Sequence, residues 1–305
     1  MGEKDIQGKR LGPLQIYNLD RLQDKDKIMG TVLDQEIMAY ASDQNETSFV
    51  EERRGVLTLV FQLLDLDSKH LQKDKLLKVT PMTFVLADDI LFILTNNRTE
   101  GLLEEVLDSL DLDKTARHIL YQLLTLFTKD YFQLMEDISQ KREELIVDLR
   151  KRPNKENLKE LANLQSGSVH ILMGAEQNSD VLADIKDLPS HRSSDEEEKE
   201  QLRDTIIEVK QLSNMCTLHA RILEQLASSY NNVLSNNLND NVTTLTIVSI
   251  GLSMLATVTS FYGMNVKLPF AKVDSIWIWV LIVTGMVAII CIFIMRSFVK
   301  REHDD

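Results

Sequence analysis

A stripe of small, mostly uncharged polar side chains runs through an apolar segment near the C-terminus of the chain. Two interpretations compete for it: a helix–helix interface in a membrane, where small residues let backbones approach, and the wall of a water-filled pore. A stripe this long favours the pore wall, because one packed contact needs fewer positions. In steps of three and four, which place residues on one helix face, it reads Ser235, Asn239, Val242, Thr246, Ser249, Ser253, Ala256 and Ser260.

Two apolar segments are long enough to cross a bilayer. Residues 242–262 and 276–295 contain no charged side chain, and about 20 apolar residues span the roughly 30 Å hydrocarbon core as a helix. The second segment lacks a polar stripe and begins with Trp277 and Trp279, which is typical of a lipid-facing outer helix with interfacial aromatic residues. One helix cannot enclose a pore, so the stripe predicts a cyclic homo-oligomer.

Composition narrows the class of protein and its location. The formal net charge of −13 argues against a nucleic-acid partner and is compatible with divalent cations. Residues 1–30 show no apolar signal-peptide core, so we expect a multi-pass plasma-membrane protein with both termini in the cytoplasm. Cys216 and Cys291 fall in separate predicted helices, which fits a reducing compartment. No nucleotide-binding glycine motif and no Cys-x-x-Cys is present, so we expect no enzyme activity.

The sequence of residues 1–99 predicts a mixed α/β domain. Its clearest element is the segment 83–95, in which two short apolar runs flank Asp88-Asp89. This pattern predicts a β-hairpin with the two aspartates at or near its turn. The lack of polar alternation predicts strands that are buried on both faces, as in a three-layer α/β/α arrangement.

Helices dominate residues 100–193, the second part of this α+β cytoplasmic domain. Apolar residues at helical spacing predict two long helices that form a hairpin across Pro153. Asp113 is the predicted N-cap of the first helix and Asn154 that of the second.

A very long stalk helix follows, over residues 194–241, and continues into the first apolar segment without an intervening proline. Ser194 and Glu197 fit a capping box at its start. Two rows at seven-residue intervals predict that this helix packs against others. The rows are Leu202, Val209, Cys216, Leu223 and Tyr230, and Ile206, Ser213, Ala220, Ala227 and Leu234.

The loop 263–275 between the two apolar segments opens with a diagnostic tripeptide. Gly263-Met264-Asn265 follows Tyr262, and in this position it resembles the signature of the CorA family of magnesium channels. Asn239 and the pair Leu245-Thr246 also match that family's approach to its first membrane span. The resemblance covers the whole architecture and is most specific over residues 239–265.

That resemblance implies a funnel-shaped homopentamer with a two-helix transmembrane hairpin in each subunit and a pore that passes a hydrated divalent cation. Asn265 would present its amide to the incoming ion, and Gly263 would allow the close turn. Asn239 would form a polar ring near the cytoplasmic end, and Leu245 would lie near a hydrophobic constriction. Neutral oxygens suit Mg²⁺, which keeps its water shell and must be bound weakly enough to leave.

Departures from the family pattern bear on ion preference and rate. Met254 stands where family members usually carry a proline in the first span. The loop after the tripeptide often contains acidic residues, whereas here it carries Lys267 and Lys272 against Asp274. The C-terminal tail, residues 296–305, carries only a thin basic cluster.

The resemblance also implies that the transported ion regulates the pore. In the family, cytoplasmic Mg²⁺ binds between neighbouring subunits and holds the pore closed, so Mg²⁺ would be both cargo and regulator. Asp204 lies where the family places an acidic sensor residue, and Asp88 and Asp89 are candidate partners. Solvated surface carboxylates are the alternative for all three residues.

The sequence therefore predicts Mg²⁺ uptake that is driven by the membrane potential and gated by cytoplasmic Mg²⁺. Transport of Co²⁺, Ni²⁺ or Zn²⁺ in the same fold is one alternative. A non-conducting, membrane-anchored sensor or scaffold is the other, motivated by the loop's weak acidity.

Overall fold

The chain divides into two compact units, Met1–Ser228 and Ser229–Asp305. The structure is a computed structural model. It describes residues 10–21, 33–69, 71, 76–151, 155–192, 194–264, 278–287, 289–290 and 293.

One mixed sheet forms the centre of the first unit. Its spatial order is β1-β2-β6-β5-β4-β3, and neighbouring strands are antiparallel except for the parallel pair β2 and β6. The strands are β1 Arg10–Leu11, β2 Leu14–Asn18, β3 Phe49–Arg53, β4 Val56–Leu64, β5 Val79–Ala87 and β6 Ile90–Thr95.

The predicted hairpin over residues 83–95 is confirmed as β5 and β6, with Thr83 opposite Leu94. Asp88 and Asp89 form its two-residue turn, and both have positive φ angles, 47° and 59°. Positive φ at both central residues gives the hairpin turn whose twist matches the strands, and aspartate tolerates that conformation better than most residues.

Helices join the sheet on both faces, and a last helix lies in the second unit. The helices are α1 Gln35–Ser42, α2 Thr99–Leu107, α3 Ala116–Lys151, α4 Lys155–Ile185, the single turn α5 Pro189–Arg192, α6 Glu196–Tyr262 and α7 Ile278–Val287.

Three layers result, as predicted, because β5 and β6 bury both of their faces. Phe84 and Ile93 face a large core that α2, α3, α4 and α6 complete. Val85 and Phe92 point to the other face and pack with Ile37 of α1. Successive strand residues point to opposite sides, so burial on both sides explains why the apolar runs lack alternation. The N-terminal α+β domain and the long helix are confirmed, while the pentamer and its funnel shape stay predictions.

The start of α3 differs from the prediction. Asp113 is not the N-cap, because residues 111–114 form a turn in which the Asp113 N–H donates to Asp111 Oδ1 at 3.2 Å. The helix begins at Ala116, and Thr115 Oγ1 accepts from the His118 N–H at 3.2 Å. A hydroxyl three residues ahead of the free amide is ordinary capping geometry, so the cap lies two residues later than predicted.

Helix α4 is held against β4 by a buried amide. The strand β3 pairs with β4 only as far as Phe49 opposite Val60, which leaves the Gln62 backbone without a strand partner on that side. Asn178 replaces the strand: its Oδ1 accepts from the Gln62 N–H and its Nδ2 donates to the Gln62 carbonyl, both at 2.8 Å. Tyr131 of α3 donates a further hydrogen bond to that carbonyl at 2.9 Å.

Candidate functional site: the long helix and its polar stripe

The start of α6 is fixed by its own N-cap and by side chains at and just before the start of α3. Asp195 Oδ1 accepts from the Glu198 N–H at 2.7 Å, so Asp195 is the N-cap and the capping box predicted at Ser194 is wrong by one residue. Ser194 Oγ instead accepts from Arg117 at 2.8 Å. The Glu198 carboxylate does not reach back to the cap, because it accepts from the Thr115 hydroxyl at 2.5 Å. These contacts hold the helix start to the first unit.

One face of α6 packs within the first unit. Of the first predicted row, Leu202, Val209, Cys216 and Leu223 are buried, and Cys216 Sγ donates to Met135 Sδ of α3 at 3.6 Å. Burial raises the pKa of the Cys216 thiol to about 12. This row therefore packs against other helices, as predicted. The second row is only half-buried from Ile206 to Ala227, and its predicted packing against other helices stays a prediction.

In the second unit, α6 includes a segment that is long and apolar enough to cross a membrane. The helix runs without a break through Met254 to Tyr262, so the residue that replaces the family's usual proline sits in regular helix. The second apolar segment is described as α7 and three further residues, with the remainder of 276–295 outside the described residues. The predicted hairpin of two spans stays a prediction.

The predicted pore residues share an exposed face. Asn239, Leu245 and the other predicted members are all exposed in the chain. The buried and half-buried positions of this unit's part of α6 lie elsewhere. At about 100° per residue, they point roughly 150° away from the mean direction of the stripe. These positions are Tyr230, Thr243, Ile247, Gly251, Met254, Leu255 and Val258.

Two hydroxyl groups of this face, those of Thr246 and Ser249, have the same orientation. Thr246 Oγ1 donates to the Val242 carbonyl and Ser249 Oγ to the Leu245 carbonyl, each at 2.8 Å. A hydroxyl that has committed its proton to the backbone four residues earlier keeps only lone pairs for other partners. These two groups therefore act as hydrogen-bond acceptors, and water in contact with them must point a proton toward the helix.

Ser253 belongs to the stripe and is exposed. It also lines a cleft of about 500 Å³ within the second unit. The hydroxyls of Thr257 and Thr284 in that cleft donate to their own helix carbonyls, at 2.8 and 2.7 Å, so the cleft presents mainly apolar surface. The cleft is lined by Ile250, Ser253, Met254, Thr257, Val258, Val283, Thr284 and Val287.

The signature tripeptide begins directly after α6 ends. The Gly263 N–H donates to the Thr259 carbonyl at 3.0 Å, and the Met264 N–H to the Phe261 carbonyl at 3.4 Å. A Cβ on residue 263 would lie 3.3 Å from the Thr259 oxygen, so glycine suits this close turn. Asn265, predicted to meet the ion, lies outside the described residues.

The candidate regulatory carboxylates are exposed. Asp88 and Asp89 occupy the hairpin turn, and Asp204 lies on α6. Within the part of one chain that the structure describes, no three His, Cys, Asp or Glu side chains are grouped to hold a metal ion. A site shared between copies stays a prediction.

The chain combines an α+β domain with a 67-residue helix that includes a segment long and apolar enough to cross a membrane. A family model described as "CorA-like Mg2+ transporter protein" matches residues 16–300, so the chain belongs to the CorA family of divalent-cation transporters. The resemblance noted at Gly263-Met264-Asn265 is thereby confirmed.

Individual relatives agree with the family. A protein named "Cobalt/magnesium transport protein CorA" from Thermotoga maritima is 26% identical over 190 residues, which are 60% of this chain and 52% of that protein. The match thus spans about half of the relative's length.

Solved structures support the fold. The complete CorA magnesium transporter of Methanocaldococcus jannaschii aligns with a TM-score of 0.72 at 18% identity, over 93% of this chain and 89% of that one. The full-length CmaX protein aligns with a TM-score of 0.60 at 15% identity, over 97% and 92% of the two chains. The ZntB cytoplasmic domain from Vibrio parahaemolyticus aligns with a TM-score of 0.57 at 9% identity, over 74% and 88%.

Proposed function

We propose that this chain assembles into a homopentameric channel that carries Mg²⁺ into the cytoplasm. The observation that supports the proposal best is the exposed polar stripe from Asn239 to Ser260, which points away from the packed side of α6 in the second unit. Several copies around an axis can enclose a path with such stripes. The membrane potential drives the ion, since it contributes about 2.3 kcal/mol per charge per 100 mV, and no nucleotide is needed.

Hydrogen-bond polarity favours a hydrated cation over a hydrated anion. The waters around Mg²⁺ turn their protons outward, and the ion seldom gives these waters up. Thr246 and Ser249 offer acceptor lone pairs because their protons are bonded to the helix backbone. Asn239 and Asn265 add amide oxygens. Neutral acceptors hold the water shell weakly, so the ion can leave as well as enter.

In this proposal the Gly-Met-Asn segment forms the outer mouth, with Tyr262 at the helix end. The protein is a multi-pass protein of the plasma membrane, in contact with lipid, and both termini are cytoplasmic. Cytoplasmic Mg²⁺ bound between copies at Asp204, with Asp88 or Asp89 as partners, holds the channel closed. Loss of that ion leaves like charges that repel one another and shift the equilibrium toward opening.

Co²⁺ is the second candidate cargo. The Thermotoga relative is named as a cobalt and magnesium transport protein, and the neutral oxygens of the stripe contain nothing that rejects a hydrated Co²⁺. Ni²⁺ or Zn²⁺ would have to use the same path, and no feature of the described residues favours them. Competition between the ions in a flux assay ranks these cargoes.

Mg²⁺ flux into proteoliposomes tests the proposal. We expect wild type to load Mg²⁺ under an inside-negative potential. Asn265→Ala should reduce the rate by on the order of tenfold or more, since it removes the amide that meets the hydrated ion. Asn237→Ala is the matched control, because Asn237 is exposed on α6 but lies off the stripe, and it should conduct like wild type.

Two results would contradict the proposal. An inactive wild type, with oriented and intact protein in the vesicles, would exclude the channel function and favour the non-conducting scaffold. Equal flux in wild type and Asn265→Ala would remove Asn265 from ion selection while leaving the stripe as the path.

A further inference from the structure

The spacing of the stripe in the second unit continues back along α6 into the part of the helix that belongs to the first unit. The alternating steps of four and three residues that define the stripe can be counted back along the sequence from Ser235. Every position reached in this way is exposed in the chain. These positions are Asn232, Ser228, Gln225, Arg221, Leu218, Asn214, Gln211, Ile207 and Asp204.

These positions lie opposite the packed side of the helix in the first unit. The buried side there consists mainly of Leu202, Val209, Cys216 and Leu223. At about 100° per residue, the two sets point about 170° apart. An exposed side that lies opposite the packed side is available to face a common axis when copies assemble around it.

Arg221 is the exception in the chemistry of this row. From Ile207 to Ser260, all positions of the row except Arg221 are uncharged. The guanidinium forms no ion pair with the described residues, although Glu224 is close in sequence on the same helix. Arginine stays charged at any physiological pH, so each copy contributes one permanent positive charge to this row.

We propose that Arg221 forms a ring of positive charge around the cytoplasmic part of the ion path and limits the flux of divalent cations. The inference rests on the proposed function, because it needs copies that surround a common path. A divalent ion on the axis is repelled by every copy of Arg221 at once, and in water this repulsion is screened over about 8–10 Å at physiological salt. Arg221 is then a residue that sets conductance, and Asn265 one that selects the ion.

Flux measurements on charge variants of the full-length protein in proteoliposomes test this assignment. At low ionic strength, Arg221→Gln should raise the Mg²⁺ rate on the order of threefold to tenfold, and Arg221→Glu should raise it further. The excess over wild type should shrink toward unity as added salt screens the ring. Lys210→Gln is the matched control, since Lys210 is exposed on the same helix but off the row, and it should match wild type.

The outcomes separate this inference from the proposed function. If wild type conducts and Asn265→Ala reduces flux while Arg221→Gln matches wild type at low salt, the ring is refuted and the channel stands. Faster flux in Lys210→Gln to the same degree would assign the effect to general surface charge and refute the ring as well. A wild type without flux would overturn both. A salt-dependent rise confined to Arg221 variants would support the ring, because a merely structural defect has no reason to vanish with added salt.

Discussion

Replacing Asn178 by alanine tests how α4 is held to the sheet. Asn178 and Gln62 are both almost fully buried, with 2% and 4% of their surface exposed. The substitution leaves the Gln62 N–H without an acceptor, which costs about 1–3 kcal/mol, and it removes a bond from the Ser48 hydroxyl worth about 0.5–1.5 kcal/mol. The Gln62 carbonyl keeps its bond from Tyr131. We therefore expect the free energy of local opening at β4 to fall by about 1.5–4.5 kcal/mol.

Hydrogen exchange of the full-length protein in detergent measures the free energy of local opening at β4 directly. The Gln62 amide should exchange at least on the order of tenfold faster in Asn178→Ala than in wild type, since about 1.4 kcal/mol corresponds to a factor of ten. Tyr131→Phe should have a smaller effect, because Asn178 still bonds the carbonyl. Asp180→Ala, at an exposed position of the same helix, should have none. Unchanged exchange at Gln62 in Asn178→Ala would refute the argument that this amide replaces a strand partner.

Two further predictions concern gating and the buried thiol. Asp204→Ala should leave the channel open at cytoplasmic Mg²⁺ concentrations that close wild type, whereas Glu224→Ala should close normally. Closure of both at the wild-type concentration would exclude Asp204 as a sensor. Burial raises the pKa of Cys216 from 9.0 to about 12, so the thiol stays protonated and alkylation at pH 8, followed by mass spectrometry, should be slow until the protein is unfolded. The neutral thiol stabilises the fold below about pH 9, and this contribution is lost as pH rises from 9 toward 12. Alkylation of the folded protein at the rate of a free thiol would contradict this assignment.

Several elements could be predicted from the sequence because their signals are local. Asp88-Asp89 between two apolar runs determines a tight turn, since the turn needs two adjacent residues that tolerate positive φ. The helix α6 continues from Glu196 to Tyr262 because no proline interrupts it, and its packed row follows from the seven-residue repeat. The family signature is local as well, because it depends on three adjacent residues at the end of a span.

Other features depend on contacts between distant parts of the chain. The observed cap of α3, Thr115, lies two residues after the predicted one, and that of α6, Asp195, lies one residue after. The turns that precede these helices determine where each helix begins. The role of Asn178 could not be predicted, since its partner Gln62 is 116 residues away. The place of Arg221 in the row could have been recognised from the sequence, because the steps of three and four residues that define the stripe continue before Ser235. The predicted stripe begins only at Ser235.

The sequence by itself determined the kind of protein this is. Three short-range patterns indicate it: the two apolar segments, the small polar residues at helical spacing and the Gly263-Met264-Asn265 turn. Such patterns can be recognised without knowledge of the fold. Only the tertiary structure decided which side of α6 is left free. Leu202 and Val209 are buried because α3 and α4 offer them an apolar surface, and the row that includes Arg221 is exposed because it points the opposite way. Periodicity divides a helix into faces, but the long-range packing of the domain chooses the face that remains available.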